Sequence, residues 1–329
     1  MKTPKTLLLL TLMFILAACG TPAWGQSQNV PAAAVSTPIP TAVPATATSA
    51  PVPSFPVPSV PATPESTMQD AGTAPAPTPT LAPGAWKSMP IIPVVSARMI
   101  AVYKAGLAAG RNPAHFSKIG DCQNITTYFL ASFDDPKNYR LGAQYAYLQP
   151  TIDHFAGSWS RESLAVGPGH NVAVQLDPLW ADPKQCKAGE TPVACEIRVY
   201  NPSIVTVSME ESWTGNLVTY NMYLRKIVAY ILSQNVVPIL ATRAEVPGSS
   251  NSINDVVARV AYDYQVPLWN FGASALPLPF FGLTKDGFHL TQAGNFFDDP
   301  SSMKAGWPWR NLTALESIDA VYRAVSGQP

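Results

Sequence analysis

Short apolar segments and segments of helical periodicity alternate through the second half of the chain, and this alternation restricts the fold more than any other feature. The run Ile204-Val205-Thr206-Val207 is rich in β-branched residues, as is typical of a buried strand. The predicted strands are 202–209, 236–241 and 266–271, and the predicted helices are 220–234, a helix capped by Ser252, and 312–325. Alternating strands and helices form βαβ crossovers, so the sequence predicts a parallel sheet flanked by helices.

Residues 1–18 have the organisation of an export signal. Lys2 and Lys5 precede an apolar run at 7–16 that is too short to span a membrane. The run leads into Leu16-Ala17-Ala18-Cys19, which resembles the lipobox of bacterial lipoproteins. This resemblance implies cleavage before Cys19, lipidation of that cysteine, and an extracytoplasmic protein held on the bacterial cell membrane by its lipid. An ordinary secretory signal with an incidental cysteine is the alternative.

Residues 19–85 have the composition of a disordered tether. Proline, alanine, threonine, serine and valine dominate, and Glu65 and Asp70 are the charged residues between positions 21 and 85. Repeated X-Pro steps remove amide donors and favour extended backbone. Residues 86–329 are long enough for one α/β domain with its own core. The whole chain has 21 basic and 21 acidic residues, and this balance gives no attraction to nucleic acid.

Two short motifs lie near opposite ends of the predicted domain. Gly120-Asp121-Cys122 comes near its start, and Asp286-Gly287-Phe288-His289 comes near its end. Together they resemble the signatures of the SGNH, or GDSL-type, hydrolases, in which Gly-Asp-Ser supplies the nucleophile and a late Asp-x-x-His supplies the base and its orienting acid. The resemblance implies a three-layer αβα fold with a parallel central sheet, as in flavodoxin-like proteins. A cysteine occupies the nucleophile position here.

The resemblance also implies a role for each motif residue. Cys122 would attack an acyl carbon, His289 would take the thiol proton, and Asp286 would hold the imidazole in the required tautomer. A thiol has an ordinary pKa of about 8.5, and a neighbouring imidazolium lowers this value. The alternative is that Cys122 is a small buried residue in a site that no longer catalyses a reaction.

The family's oxyanion hole uses a glycine and an asparagine together with the amide of the nucleophile. Gly169 and Gly167 are the candidates for the glycine, and the alternative for both is a turn role. Glu211 or Glu210 stands where the asparagine is expected. An ionised carboxylate only accepts hydrogen bonds, so it would repel a developing oxyanion. The presence of glutamate instead of asparagine affects the expected catalysis more than the expected fold.

Other polar and aromatic residues are candidates for the same cleft. Asn216 or Asn171 would replace the missing amide donor, and Trp213, beside the glutamates, is predicted to border the site. A wider set of tryptophans either lines a sugar-binding rim or belongs to the core: Trp159, Trp180, Trp213, Trp307 and Trp309.

The cysteine count supports a thiol at the site. Cys186 and Cys195 are nine residues apart, with Gly189 between them, and we predict that they form a local disulfide in an oxidising compartment. If Cys19 carries lipid, the remaining cysteine is Cys122, which occupies the nucleophile position.

The leading hypothesis is a monomeric, membrane-anchored hydrolase of ester-linked acyl groups on glycans or lipids. His115, His154 and His170 lack metal-ligand spacing, and the chain has no Gly-rich phosphate loop, so neither a metal nor a nucleotide cofactor is expected. One alternative is an inactive domain that binds an envelope polysaccharide. Another is an acyltransferase, because an alcohol can intercept a thioester intermediate.

Overall fold

The computed structural model describes residues 81–209, 216–248 and 252–328. Within these ranges no helix combines the length and the apolar character needed to cross a lipid bilayer. The strands are β1 Asn112–Gly120, β2 Tyr139–Arg140, β3 Pro202–Ser208, β4 Val237–Ala241, β5 Leu268–Trp269 and β6 Asn295–Phe296. The α-helices are α1 Ala97–Ala108, α2 Gly142–Tyr145, α3 Gln149–His154, α4 Pro192–Tyr200, α5 Leu217–Ser233, α6 Ile253–Tyr264, α7 Phe271–Ala275 and α8 Gly306–Ser326.

The main sheet is parallel and has the order β1-β3-β4-β5. A single parallel bridge joins Gly120 to Val166, which adds a short extended segment next to β1. Because all strands run the same way, their carboxyl ends meet at one edge, and Gly120 is paired there with Ser208. A second, two-stranded parallel sheet joins β2 to β6.

Helices cover the sheet, as the alternating pattern predicts. Every residue of β3 is buried, so both of its faces are covered. Helix α1 packs against α8 and helix α5 against α6, and both pairs contact the sheet, while α4 contacts β1. The predicted α/β fold with a parallel central sheet is confirmed.

Two predicted elements differ most from their limits in the structure. The strand predicted at 266–271 ends at Trp269, because the Asn270 side chain turns to bind the carbonyl oxygens of Trp86 and Met89 and Phe271 begins α7. Helix α8 begins at Gly306, six residues before the predicted start at 312. Proline is tolerated in the first turn of a helix, so Pro308 does not delay its start.

The segment before Trp86 also packs on the domain. Arg259 donates to the carbonyl oxygen of Leu81, and the amide of Gly84 donates to Asp255 at 2.6 Å. Trp86 itself is buried. Residues 81–85, which composition alone assigns to the tether, therefore contact α6.

The predicted disulfide between Cys186 and Cys195 is confirmed, and Cys122 lies outside it. The bridge closes a short loop before α4. We expect the double substitution Cys186→Ala and Cys195→Ala to lower the free energy of unfolding by about 2–3 kcal/mol, because the unfolded chain gains loop entropy. Urea denaturation without reductant measures this loss. With dithiothreitol the two proteins should differ by less than about 1 kcal/mol, and an equal loss in both conditions would contradict the loop-entropy explanation.

Lys118 is a buried basic residue near the carboxyl end of β1. Its ammonium donates to the carbonyl oxygen of Trp159 at 2.7 Å. Burial, followed by the nearby Arg161 charge, lowers the pKa of Lys118 from 10.5 to about 7. Between those pH values the unfolded chain binds more protons than the folded one, so this group's contribution to stability rises with pH.

Lys118→Met tests this pH dependence. We expect the variant to be more stable than the wild type at pH 7, and the difference to shrink by about 2 kcal/mol between pH 7 and pH 9. The measurement is the free energy of unfolding in urea at a series of pH values. A stability difference that does not change with pH would show that Lys118 keeps an ordinary pKa when folded.

Candidate active site

Cys122 begins a tight turn directly after β1. The turn is a 3-10 helix, Cys122–Asn124, and Asp121 caps it by accepting from the amide of Gln123 at 3.0 Å. Asn124 folds back onto Gly120, where an added Cβ would lie 2.0 Å from the Asn124 side-chain nitrogen. The Gly-Asp pair is thus required by the local backbone, because glycine admits Asn124 and aspartate closes the turn.

Asp286 and His289 form a hydrogen-bonded pair on a surface loop. His289 Nδ1 lies 2.5 Å from Asp286 Oδ2, and the other carboxylate oxygen accepts from Thr284 Oγ1 and from the amides of Phe288 and His289. The Thr284 hydroxyl, with the His289 ring and the Phe288 amide, holds the pKa of Asp286 well below its usual range. In a neutral imidazole, the ionised carboxylate favours a proton on Nδ1, which leaves Nε2 as the acceptor. The His289 side chain is 60% exposed.

A side-chain hydrogen bond joins the two motifs. Gln123 Nε2 donates to the carbonyl oxygen of Phe288 at 2.9 Å. Gln123 directly follows Cys122 and Phe288 directly precedes His289, so the contact holds the turn that carries the thiol beside the loop that carries the imidazole. Sequence reasoning missed Gln123, because a glutamine in a loop gives no signal of a long-range partner.

Arg310 supports the same turn from beneath. This α8 residue is 0% exposed, and its guanidinium donates to the Gln123 carbonyl oxygen and to Ser208 Oγ, both at 2.8 Å. Four aromatic rings lie 4.7–5.7 Å from the guanidinium carbon: Phe129, Trp269, Phe271 and Trp307. Arg310 therefore ties the ends of β1 and β3 to α8. The sequence gives little signal of this role, because α8 contains a second arginine, Arg323, and several other polar residues.

The segment with the candidate oxyanion glycines lies next to β1. The amide of Gly120 donates to the Ala165 carbonyl oxygen at 3.0 Å, and Gln175 Nε2 donates to the same oxygen at 2.9 Å. Gly167 packs against the His170 ring, where an added Cβ would lie 3.0 Å from Nε2. Gly169 has a φ of +76°, which a side chain rarely allows. Gly167 must therefore be small because of its contact with the His170 ring, whereas Gly169 has a backbone conformation that favours glycine.

Buried Glu196 fixes the chain just before these glycines. It accepts from Ser117 Oγ, from both terminal nitrogens of Arg161, and from the amide of Leu164 at 2.8 Å. The carboxylate therefore connects β1, α4 and the segment that leads to Gly167. No short-range pattern in the sequence indicates this network.

The two candidate asparagines use their carbonyl oxygens in backbone capping. Asn171 Oδ1 accepts from the amides of Ala173 and Val174, and Asn216 Oδ1 accepts from the first turn of α5. These contacts fix both side chains through their carbonyl oxygens. Glu210, Glu211 and Trp213 lie outside the described residues, as does Cys19.

The predicted tryptophan rim divides into core and surface residues. Trp159 and Trp307 are buried in the core, and Trp309 packs against it while donating to the Ser274 carbonyl oxygen. These residues are therefore not part of an exposed rim. Trp180 is half-exposed and borders a cavity with Gly169.

A small cavity lies beside the Cys122 turn. It has a volume of about 250 Å³, and its lining includes Ile125, Thr127, Val166 and Gly167. It is formed by the residues after Cys122 and by the segment that carries the candidate oxyanion glycine. Its size is below the usual range for drug-sized ligands, which suits a short acyl group.

One group in the described ranges has metal-ligating residue types close together: Cys186, Glu190 and Cys195. Both sulfurs are in the disulfide and are not available as thiolate ligands. Glu190 instead binds Arg198. The arrangement does not fit a metal centre.

Comparisons with known proteins give a structural similarity and no sequence match. No protein-family model and no curated protein matches the chain. A crystal structure of a GDSL-like lipase from Bacteroides thetaiotaomicron has 15% sequence identity and a TM-score of 0.40, and the match covers 68% of this chain and 99% of that one. The chain is an α/β protein with a parallel β1-β3-β4-β5 sheet, and its Gly-Asp-Cys turn and Asp-His pair lie side by side.

Proposed function

We propose that the protein hydrolyses ester-linked acyl groups, with Cys122 as nucleophile, His289 as base and Asp286 as the residue that orients the imidazole. One observation carries the proposal. The ionised Asp286 fixes the His289 tautomer on a loop that the Gln123–Phe288 hydrogen bond holds beside the Cys122 turn.

The reaction proceeds through a thioester. Cys122 Sγ attacks the ester carbonyl carbon while its proton passes to His289 Nε2. The tetrahedral intermediate collapses, the carbon–oxygen bond breaks, and the alcohol leaves with the proton from His289. A water molecule then attacks the thioester as His289 takes its proton, and release of the carboxylic acid restores the thiol.

The surroundings favour short acyl groups. The cavity of about 250 Å³ beside the Cys122 turn would receive the acyl chain, and Ile125 and Val166 contribute apolar surface to its mixed lining. The amides of the Cys122 turn and of the Gly167–Gly169 segment are the proposed oxyanion donors. This arrangement does not require a donor from Glu210 or Glu211.

We place this activity outside the cytoplasm, on a lipid anchor at Cys19. The Pro-rich composition predicts a tether, which would give the domain a reach of roughly 200 Å if it were fully extended. The substrate would be a polymer or lipid near the membrane surface.

An ester hydrolysis assay tests the proposal. Purified protein is incubated with nitrophenyl acetate and with acetylated oligosaccharides, and release of acid and of alcohol is measured separately. We expect equal release of both products. Absence of turnover on every ester would contradict the proposal, and acyl groups recovered on an added sugar instead of as free acid would indicate a transferase.

A further inference from the structure

A second cavity lies beside the segment that carries the candidate oxyanion glycines. Its volume is about 570 Å³, within the range of small-molecule sites. Its walls come from residues 169–180 and from Tyr223 on α5. Gly169 lines this cavity and Gly167 lines the smaller one beside the Cys122 turn, so the chain runs from one cavity to the other within three residues.

Trp180 presents a fixed aromatic surface in this cavity. It is 50% exposed, and its ring meets His170 edge-on with centroids 5.8 Å apart. The turn that carries it, Pro178–Trp180, is capped by Asp177, which accepts from the Leu179 amide. A flat, amphipathic ring held this way suits the C–H face of a sugar.

Asn171 supplies a donor that lacks a protein acceptor. Its side chain is 8% exposed and is fixed by the two amides that its carbonyl oxygen accepts. Asn171 lines the cavity, and its amide nitrogen donates to no group within the described ranges. Solvent reaches this nitrogen, so a ligand hydroxyl in the cavity can accept a hydrogen bond from it.

The charges in the cavity favour a neutral, hydroxyl-rich ligand. Asp177 contributes one carboxylate oxygen to the turn and offers the other as an acceptor. Among the described residues that line the cavity there is no lysine and no arginine, so phosphate and carboxylate groups have no counter-charge. An aromatic face with one amide donor and one carboxylate acceptor matches the hydroxyls of a neutral sugar.

We infer that this cavity binds a neutral pyranose ring, and that the substrate is therefore an acylated glycan in which the sugar is the alcohol part of the ester. The inference rests on the proposed hydrolase function for its catalytic half. The sugar would lie against Trp180, with hydroxyls on Asn171 and Asp177, while the acyl group enters the cavity beside Gly167.

Binding is measured first, without catalysis. Calorimetric titration of Cys122→Ala protein with unacylated xylotetraose, cellotetraose and chitotetraose should show binding of at least one of them. Trp180→Ala should weaken it at least tenfold, and Asn171→Asp, which keeps the capping oxygen but removes the donor, should also weaken it tenfold. The control is Leu179→Ala, next to Trp180 but 90% exposed and outside the cavity lining, which should bind as before.

Kinetics then separates the inference from the proposed function. With Cys122 intact, Trp180→Ala should lower kcat/KM for an acetylated oligosaccharide at least tenfold more than for nitrophenyl acetate. Ester hydrolysis with equal effects of Trp180→Ala on both substrates would overturn the sugar site and leave the hydrolase standing. Sugar binding without any ester hydrolysis would overturn the hydrolase function and leave the sugar site standing. Binding of short-chain phosphatidylcholine that Trp180→Ala abolishes, with no binding of the tetrasaccharides, would also overturn the sugar assignment.

Discussion

Cys122→Ala is expected to lower kcat/KM for nitrophenyl acetate by at least a thousandfold, because the substitution removes the atom that forms the thioester. His289→Ala should cause a loss of similar size, since Asp286 and the Gln123–Phe288 contact hold its ring beside the Cys122 turn. Residues that act as one unit give non-additive losses, so the double variant should be no worse than either single variant.

Two controls accompany this measurement. His115 lies on β1 near the opposite end of the strand from Cys122 and stacks on Tyr200, so His115→Ala should retain the wild-type rate. The double variant Cys186→Ala and Cys195→Ala removes the disulfide and leaves Cys122 in place. Ester turnover that survives both Cys122→Ala and His289→Ala would contradict the assigned roles.

Arg310→Met is expected to lower the free energy of unfolding by about 3 kcal/mol. The Gln123 carbonyl oxygen and Ser208 Oγ would each lose a charged hydrogen-bond partner inside the core. Methionine fills part of the space among the aromatic rings but donates nothing to these groups. Urea denaturation of the two proteins at one pH gives the difference.

Arg323→Met is the matched control, because it is the same change on the same helix. Arg323 pairs with Asp319 one turn away and is one-third exposed, while Asp319 is buried, so the removal of Arg323 should cost about 1–2 kcal/mol, less than the removal of Arg310. Equal losses in the free energy of unfolding for the two variants would contradict the conclusion that Arg310 stabilises the fold more than Arg323 does. The active-site turn should also be affected, so residual activity at low temperature should fall more in Arg310→Met than in Arg323→Met.

The fold was predictable where local patterns and tertiary packing agree. The strand at 202–209 and the helix at 220–234 have clear periodicity, and the structure contains β3 and α5 there. The strand at 266–271 is shorter than predicted, because Asn270 binds the distant segment at Trp86. Strands β2 and β6 have two residues each, too few to produce a periodic pattern.

The candidate site was predictable at its motifs and not at its supports. The resemblance to SGNH hydrolases indicated Cys122, Asp286 and His289 as candidates, because the two motifs occur in the order typical of that family. Gln123 and Arg310 act through partners more than a hundred residues away, which no local pattern encodes. The predicted helix cap at Ser252 shows the same limit of local patterns. Ser252 precedes α6 as predicted, but its hydroxyl donates to Glu245 instead of capping the helix.

Trapping of the acyl-enzyme tests the central claim most directly. Wild-type protein is quenched in acid during turnover of nitrophenyl acetate, digested and analysed by mass spectrometry. We predict an acetyl group on the peptide that contains Cys122, removed by neutral hydroxylamine as a thioester should be, and absent from the Cys122→Ala protein. Sustained turnover with the acetyl group on another residue, or with Cys122 unmodified throughout, would contradict the assignment of Cys122 as the nucleophile.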